Sequence, residues 1–274
     1  MAVEVETTDG RRTPSLGELR IWTICVNSLV PIGAFTAVVV FWAFSVRYFE
    51  VPKYLLPGPG DIIVRLIETR EPLWRNGLIT LQEIFYGFFL TVASAIPLGL
   101  LIALSPLARR VIYPILVFLQ LVPKIAIAPL FIVWVGFGME SKVLLTVMMT
   151  FFPLLLASIA GFQTLDPRLL YLTRSMGASA WQTFRNLRLP AALPIVFSGL
   201  KASATIAATA AIVAEFVGAN QGLGYYLLQA TSNLDTTLVF AILAVLTIIG
   251  LSLNLLVELA EYLMTPWRRS QREN

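Results

Sequence analysis

The sequence predicts an all-α integral membrane protein built from about six spanning helices. Two observations carry that prediction. Only 13% of the 274 residues are charged and 57% are hydrophobic, with a mean hydropathy of +0.79, whereas an average soluble domain carries roughly 25% charged residues. The apolar residues also gather into six runs, approximately 26–49, 78–104, 111–137, 142–164, 191–217 and 236–263, each close to the roughly 20 residues a helix needs to cross the hydrocarbon core. Composition excludes other classes as well. There is no histidine and one cysteine, Cys25, so intramolecular disulfides, histidine-based triads and HExxH or multi-cysteine zinc sites are ruled out. Cys25 reads as a small apolar filler. No cofactor is expected, and the chain is not expected to be an enzyme.

The organisation follows in order. Residues 1–25 open with a charged stretch (Glu4, Glu6, Asp9, Arg11, Arg12, Glu18, Arg20) and read as a retained tail rather than a cleaved signal. Residues 26–265 form one membrane domain, and 266–274 a second tail, with Trp267 and Arg268–Arg269 as a headgroup anchor. Basic residues set the orientation. With the N-terminus in the cytoplasm, the inner segments hold Arg11, Arg12, Arg20, Arg109, Arg110, Arg168, Arg174, Arg185, Arg188, Arg268, Arg269 and Arg272. The outer ones hold Lys53, Arg65, Arg70, Arg75 and Lys142. Both termini are therefore expected inside. The outer loop 50–76 turns at Pro57–Gly60, with Asp61 as candidate cap of a short helix. It serves either as a connector or as a docking point for an outside partner.

The third run contains Pro114, Pro123 and Pro129 together with Gln120 and Lys124. Proline breaks the hydrogen-bond ladder, and a broken helix at membrane depth is tolerated where it lines protein or a water-filled path. Lys124 at the break suits an anionic or acceptor-bearing solute, or else pairs with Glu83 of the second run.

The loop 166–190 is too polar to span. Asp166–Pro167 reads as cap and first position of a short helix, Gly177 as its stop, and Ser179–Leu187 as a second short helix, with Pro190 marking the turn into the fifth run. Aromatics beside arginines fit either a docking knob or an amphipathic loop resting on headgroups.

In the fifth run, 202–211 reads ASATIAATAA. Such small residues permit close helix approach, inside the chain or at a two-fold axis beside a conduit. Lys201 and Glu215 share a face about 21 Å apart and cannot pair with each other. Ser203, Thr205 and Thr209 offer hydroxyls to a solute or to their own helix. Lys124, Lys201, Ser203, Thr205, Thr209 and Glu215 are the candidate pathway residues. Glu258 and Glu261 read as interfacial charges.

The loop resembles the EAA loop of permease subunits in bacterial binding-protein-dependent ABC importers: Glu-Ala-Ala, three residues, Gly, nine residues, Ile-x-Leu-Pro. Gly177 takes the glycine position, Leu187 stands for Ile, and Leu189–Pro190 match, while Tyr171, Leu172 and Thr173 replace the triplet. VPKIAIAPLFIVWVGFG (122–138), LPIVFSGLKASATIAATAAIVAEFVGA and QGLGYYLLQA (221–230) look like the nitrate/sulfonate/taurine branch. The resemblance implies a MetI-like fold with cytoplasmic coupling helices in the bacterial inner membrane. It implies two permease copies (here a homodimer), two separate ATPase subunits and an external solute-binding protein. It also tips the small-residue stripe toward the two-fold axis. The implied ATPase-coupling residues are Arg174, Ser175, Gly177, Ala178, Trp181, Phe184, Leu187, Leu189 and Pro190. The chain has no GxxxxGK[ST] loop, so ATP hydrolysis falls to another subunit. Pro123–Lys124, where sulfonate and taurine permeases tend to carry Pro-Pro, leans toward a pyrimidine-like or other small organic solute. A stand-alone secondary carrier or channel is the alternative, but a carrier predicts two halves with matched interrupted helices and only one run is strongly interrupted.

Overall fold

A computed structural model describes residues 16–268. Residues 1–15 and 269–274, Arg269 included, and the side chains of residues 16–29, 31, 32 and 268, those of Cys25 and Arg268 among them, lie outside the described residues. The chain divides into two units, 1–61 and 62–274.

The first unit contains α1 (Leu16–Tyr48), which starts inside the expected tail, and the connector up to Asp61. Helix α2 (Pro59–Glu68) begins across the boundary between units. Asp61 lies within its first turn rather than capping it, because Pro59, with no N–H to satisfy, starts the helix. The Asp61 carboxyl is instead hydrogen-bonded by Lys53 Nζ at 2.7 Å, which holds it below the usual carboxylate range.

The second unit is a helical bundle of α3 (Arg70–Leu104), α4 (Pro106–Leu121), α5 (Lys124–Val135), α6 (Met139–Gln163), α7 (Pro167–Ser175), α8 (Ala180–Thr183), α9 (Leu189–Gly218), α10 (Leu223–Ser232) and α11 (Thr236–Met264). Among the described residues, α3, α6, the continuous stretch 180–218 and α11 are each long and apolar enough to cross a membrane. Helices α4 and α5 pass that test only as one span, bent by 96°. The break falls at Val122–Pro123, where a proline was expected to interrupt the run.

Helix α6 is the centre, packed between α3 and α9, with α11 beyond α9. Close approach depends on missing side chains. A Cβ added to Gly99 on α3 would sit 2.6 Å from Cβ of Ser158, and one on Gly161 2.9 Å from the Ala192 carbonyl, so small residues set the helix spacing. Polar bonds cross the same contacts: Thr91 and Thr150 hydroxyls meet at 2.6 Å, and Ser203 Oγ donates to the Thr150 carbonyl at 2.8 Å.

The alanine stripe of α9 resolves one expectation. Ala204, Ala207, Ala210, Ala211 and Ala214 are buried within the chain, against Phe197, Ile84 and Leu145 among others. These alanines follow the intrachain reading of the stripe, while Ala202, Thr205 and Thr209 are the exposed members of the run.

Candidate functional site

The loop between α6 and α9 is a built knob. Asp166 Oδ1 accepts from the Arg168 N–H at 2.9 Å and Pro167 starts α7. At its other end Gly177 N–H bonds the Arg174 carbonyl and Ala178 N–H the Thr173 carbonyl, both at 3.0 Å. This is a Schellman stop, and Gly177 has φ +78°, the left-handed region where glycine carries no Cβ penalty. Ser179 and Gln182 then cap α8 reciprocally.

The expected turn at Pro190 is absent. Residues Phe184–Arg188 form a π-turn that runs α8 directly into α9. The Leu189 N–H reaches back five residues to the Phe184 carbonyl. That wider turn accommodates Pro190, which has no N–H to offer and whose ring would clash four residues back in a regular helix. Trp181 stacks on Phe184 at 5.7 Å, and Phe184 on Phe162 of α6 at 6.4 Å. The knob is therefore joined to two spans, by helix and by ring stack. Tyr171, Leu172 and Met176 beyond the spans, and Trp181 at the extreme start of the stretch 180–218, remain 56–76% exposed. Behind them a cavity of about 620 Å³ is lined by Leu100, Leu104, Arg174, Phe184 and Arg188. Arg109 and Arg110 border a second cavity that shares Leu104, so four expected inner arginines gather at one end.

Three of the six predicted pathway residues meet. Lys124, Thr205 and Thr209 line a cavity of about 660 Å³ with Gln120, Met149 and Phe152, between the α4–α5 break, α6 and α9. Lys124 Nζ donates to the Gln120 carbonyl at 3.0 Å and stands 5.0 Å over the Phe152 ring. The other three are engaged elsewhere. Lys201 pairs with Glu261 at 2.6 Å, which makes Glu261 a packing charge between α9 and α11 rather than a headgroup contact. Ser203, buried, gives its hydroxyl to the Thr150 carbonyl of α6. Glu215 belongs to a network that sequence reasoning missed.

That network lies at the opposite end of α3 from the knob. Glu215 is 1% exposed; its Oε2 accepts the Gly224 N–H at 2.5 Å and the Tyr225 N–H at 3.2 Å, and its Oε1 accepts the Thr80 hydroxyl at 2.6 Å. Thr80 and Asn76 in turn accept the Leu223 and Gly222 N–H groups at 2.8 and 2.9 Å. Every donor at the start of α10 is thereby answered. The glycines of QGLG make this possible: at Gly222 (φ +110°) an added Cβ would overlap the Glu215 carboxyl, and at Gly224 it would come within 2.9 Å of Glu215 Cβ. Beside it Glu83, fully buried, interacts with Glu215 and pairs with Lys142 at 3.1 Å. Glu83 therefore belongs to Lys142, not Lys124. Outside the spans, Asp235 caps α11 through Leu238 N–H and holds Arg65 at 2.5 Å, raising the guanidinium further above its usual range.

A membrane bundle with one broken helix, a largely apolar cavity carrying a few polar groups at the break and a capped helical knob at one end is, by class, a transport permease. A family model described as "Binding-protein-dependent transport system inner membrane component" matches residues 95–270. The chain belongs to this family: it is a transmembrane permease subunit of an ABC importer. It is 35% identical over 246 residues to the formylaminopyrimidine transport permease protein ThiX of Halalkalibacterium halodurans, covering 89% of this chain and 98% of that one. It is 34% identical to the riboflavin transport system permease protein RibX of Chloroflexus aurantiacus (84% and 87%), and 28% to the taurine transport system permease protein TauC of Escherichia coli (90% and 92%). Among solved structures, an inward-facing MetNI methionine ABC transporter shares the fold, with a TM-score of 0.56 and 21% identity over 70% of this chain and 97% of that one.

Proposed function

We propose that two copies of this chain form the conduit of an ATP-driven importer for a small polar or anionic organic solute, delivered from outside by a binding protein. Both termini face the cytoplasm, and ATP is hydrolysed by separate subunits seated on the knob. Arg174, Ser175, Gly177, Ala178, Trp181, Phe184, Leu187, Leu189 and Pro190 form or hold the coupling surface. Relatives named for a formylaminopyrimidine, riboflavin and taurine support a small organic cargo. Of the expected pathway residues, Lys124, Thr205 and Thr209 retain the role, because their side chains share a cavity. Lys201, Ser203 and Glu215 are engaged in bonds within the chain, which supports a packing role for them.

The observation that carries the coupling surface is the exposed set Tyr171, Leu172, Met176 and Trp181 on a knob stacked onto Phe162. Large apolar groups outside the hydrocarbon call for a protein cover. Trp181→Ala is expected to weaken ATPase association by roughly 2 kcal/mol, about thirtyfold in Kd, the scale of a buried aromatic anchor. Titrating purified ATPase onto the permease in nanodiscs measures it. Unchanged affinity in Trp181→Ala and in a variant lacking 171–189 removes the proposal.

A further inference from the structure

Four lysines occur in the chain. Lys53 meets Asp61 at 2.7 Å, Lys142 meets Glu83 at 3.1 Å and Lys201 meets Glu261 at 2.6 Å. Among the described residues Lys124 has no carboxylate within ion-pair distance. It lies half-buried at the break between α4 and α5. Phe152 and Thr205, which share its cavity, lie near the middles of α6 and α9, and this places Lys124 near mid-depth. A cation at that depth is costly and ordinarily faces a partner charge or water. Its helix gives it no relief, since Lys124 is the first residue of α5, where the backbone dipole is positive.

The surrounding polar groups have spare capacity too. The ammonium has three donors; one is used on the Gln120 carbonyl, and the Phe152 face shields another side. The Gln120 amide and the Thr209 hydroxyl have no intramolecular hydrogen bond among the described residues, and both line the same cavity. The remaining wall is apolar, including Met149, Phe152 and Leu156. At about 660 Å³ the space falls in the range of small-molecule sites, roughly 300–1,000 Å³. Apolar walls with a few convergent donors are the usual composition of such a site.

We propose that this cavity is a solute-binding site within the permease itself, with Lys124 as its specificity-determining residue, for an organic solute that pairs a flat apolar body with a carboxylate or sulfonate. The solute supplies the counter-charge that the protein withholds. Gln120 and Thr209 orient its polar edge, and the Phe152 and Met149 side chains cover its body. The proposal rests on the conduit reading for its place on the transport route; the binding itself stands apart from ATPase and binding protein, and is tested without them.

The full-length chain in nanodiscs, with no partner subunits, is titrated with benzenesulfonate and with the neutral benzenesulfonamide by saturation-transfer NMR. The wild type is expected to favour benzenesulfonate by about tenfold, the scale of one charge-assisted contact. Lys124→Met abolishes the preference and Lys124→Arg retains it. Thr209→Val, which leaves the charge in place, lowers affinity for both probes and keeps the preference. Equal binding of the two probes by the wild type overturns the proposal, as does an undiminished preference in Lys124→Met. If that preference is confirmed but ATP-driven uptake by the complete transporter is the same in Lys124→Met and wild type, the binding site stands and its place on the transport route fails.

Discussion

Lys142 illustrates how a charge acquires its role from its neighbours. By position it is an outer-segment lysine in the first turn of α6, yet it is 7% exposed and ion-paired with the fully buried Glu83, which also faces Glu215. Glu215 is answered by hydroxyl and backbone donors; the Glu83 oxygens make no geometrically good hydrogen bond, so its compensation is the Lys142 charge. Removing one partner of a buried pair leaves an uncompensated charge and costs about 3–5 kcal/mol, whereas removing both can be nearly neutral. Lys142→Met is therefore expected to lower thermal stability in detergent by that amount, and the double variant Glu83→Gln, Lys142→Met to recover most of the loss. A Lys142→Met protein melting with wild type would show that the pair contributes nothing.

At the scale of elements, the knob separates backbone effects from charge effects. Gly177 has φ +78°, but a Cβ there meets no atom within 4 Å. A substitution is opposed by backbone strain alone, on the order of 1–2 kcal/mol for ordinary residues, and less for Asn and Asp, which tolerate the left-handed region. Gly177→Asn is thus expected to keep the turn, while Gly177→Asp places a carboxylate within the coupling surface and uncouples transport. Uptake and ATPase co-purification, measured for both, decide the matter: normal values in Gly177→Asp remove the claim. Much of this knob was legible in the sequence. The Asp166 cap, the Gly177 stop and the break before Lys124 each depend on residues within a few positions of one another. The π-turn was not, because it answers a demand that Pro190 makes on a helix already continuous with α9. Nor was the Glu215 network, whose partners Asn76 and Thr80 lie more than a hundred residues away. Only the spacing of Gly222 and Gly224 hinted that something approached the backbone there.

For the whole molecule, the bundle sorts its charges by end. Arg109, Arg110, Arg174 and Arg188 border cavities around Leu104 at one end of α3, and the Glu83–Lys142–Glu215 cluster packs at the other. Basic groups are retained on the cytoplasmic side during insertion. The knob is therefore expected inside and the α10–α11 turn outside. Ser175 and Asn233 are exposed at these two places. In a Cys25→Ser background, which removes the one native thiol, Asn233→Cys is expected to react with a membrane-impermeant maleimide on intact spheroplasts. Ser175→Cys, in the chain expressed without its ATPase, should react only after permeabilisation. The orientation is testable independently of transport, and it constrains the proposed coupling, because a cytoplasmic ATPase could reach the knob only from that side. Labelling of Ser175→Cys on sealed spheroplasts, with Asn233→Cys protected, would invert the molecule and leave its apolar knob without the partner that its exposed Trp181 and Met176 require.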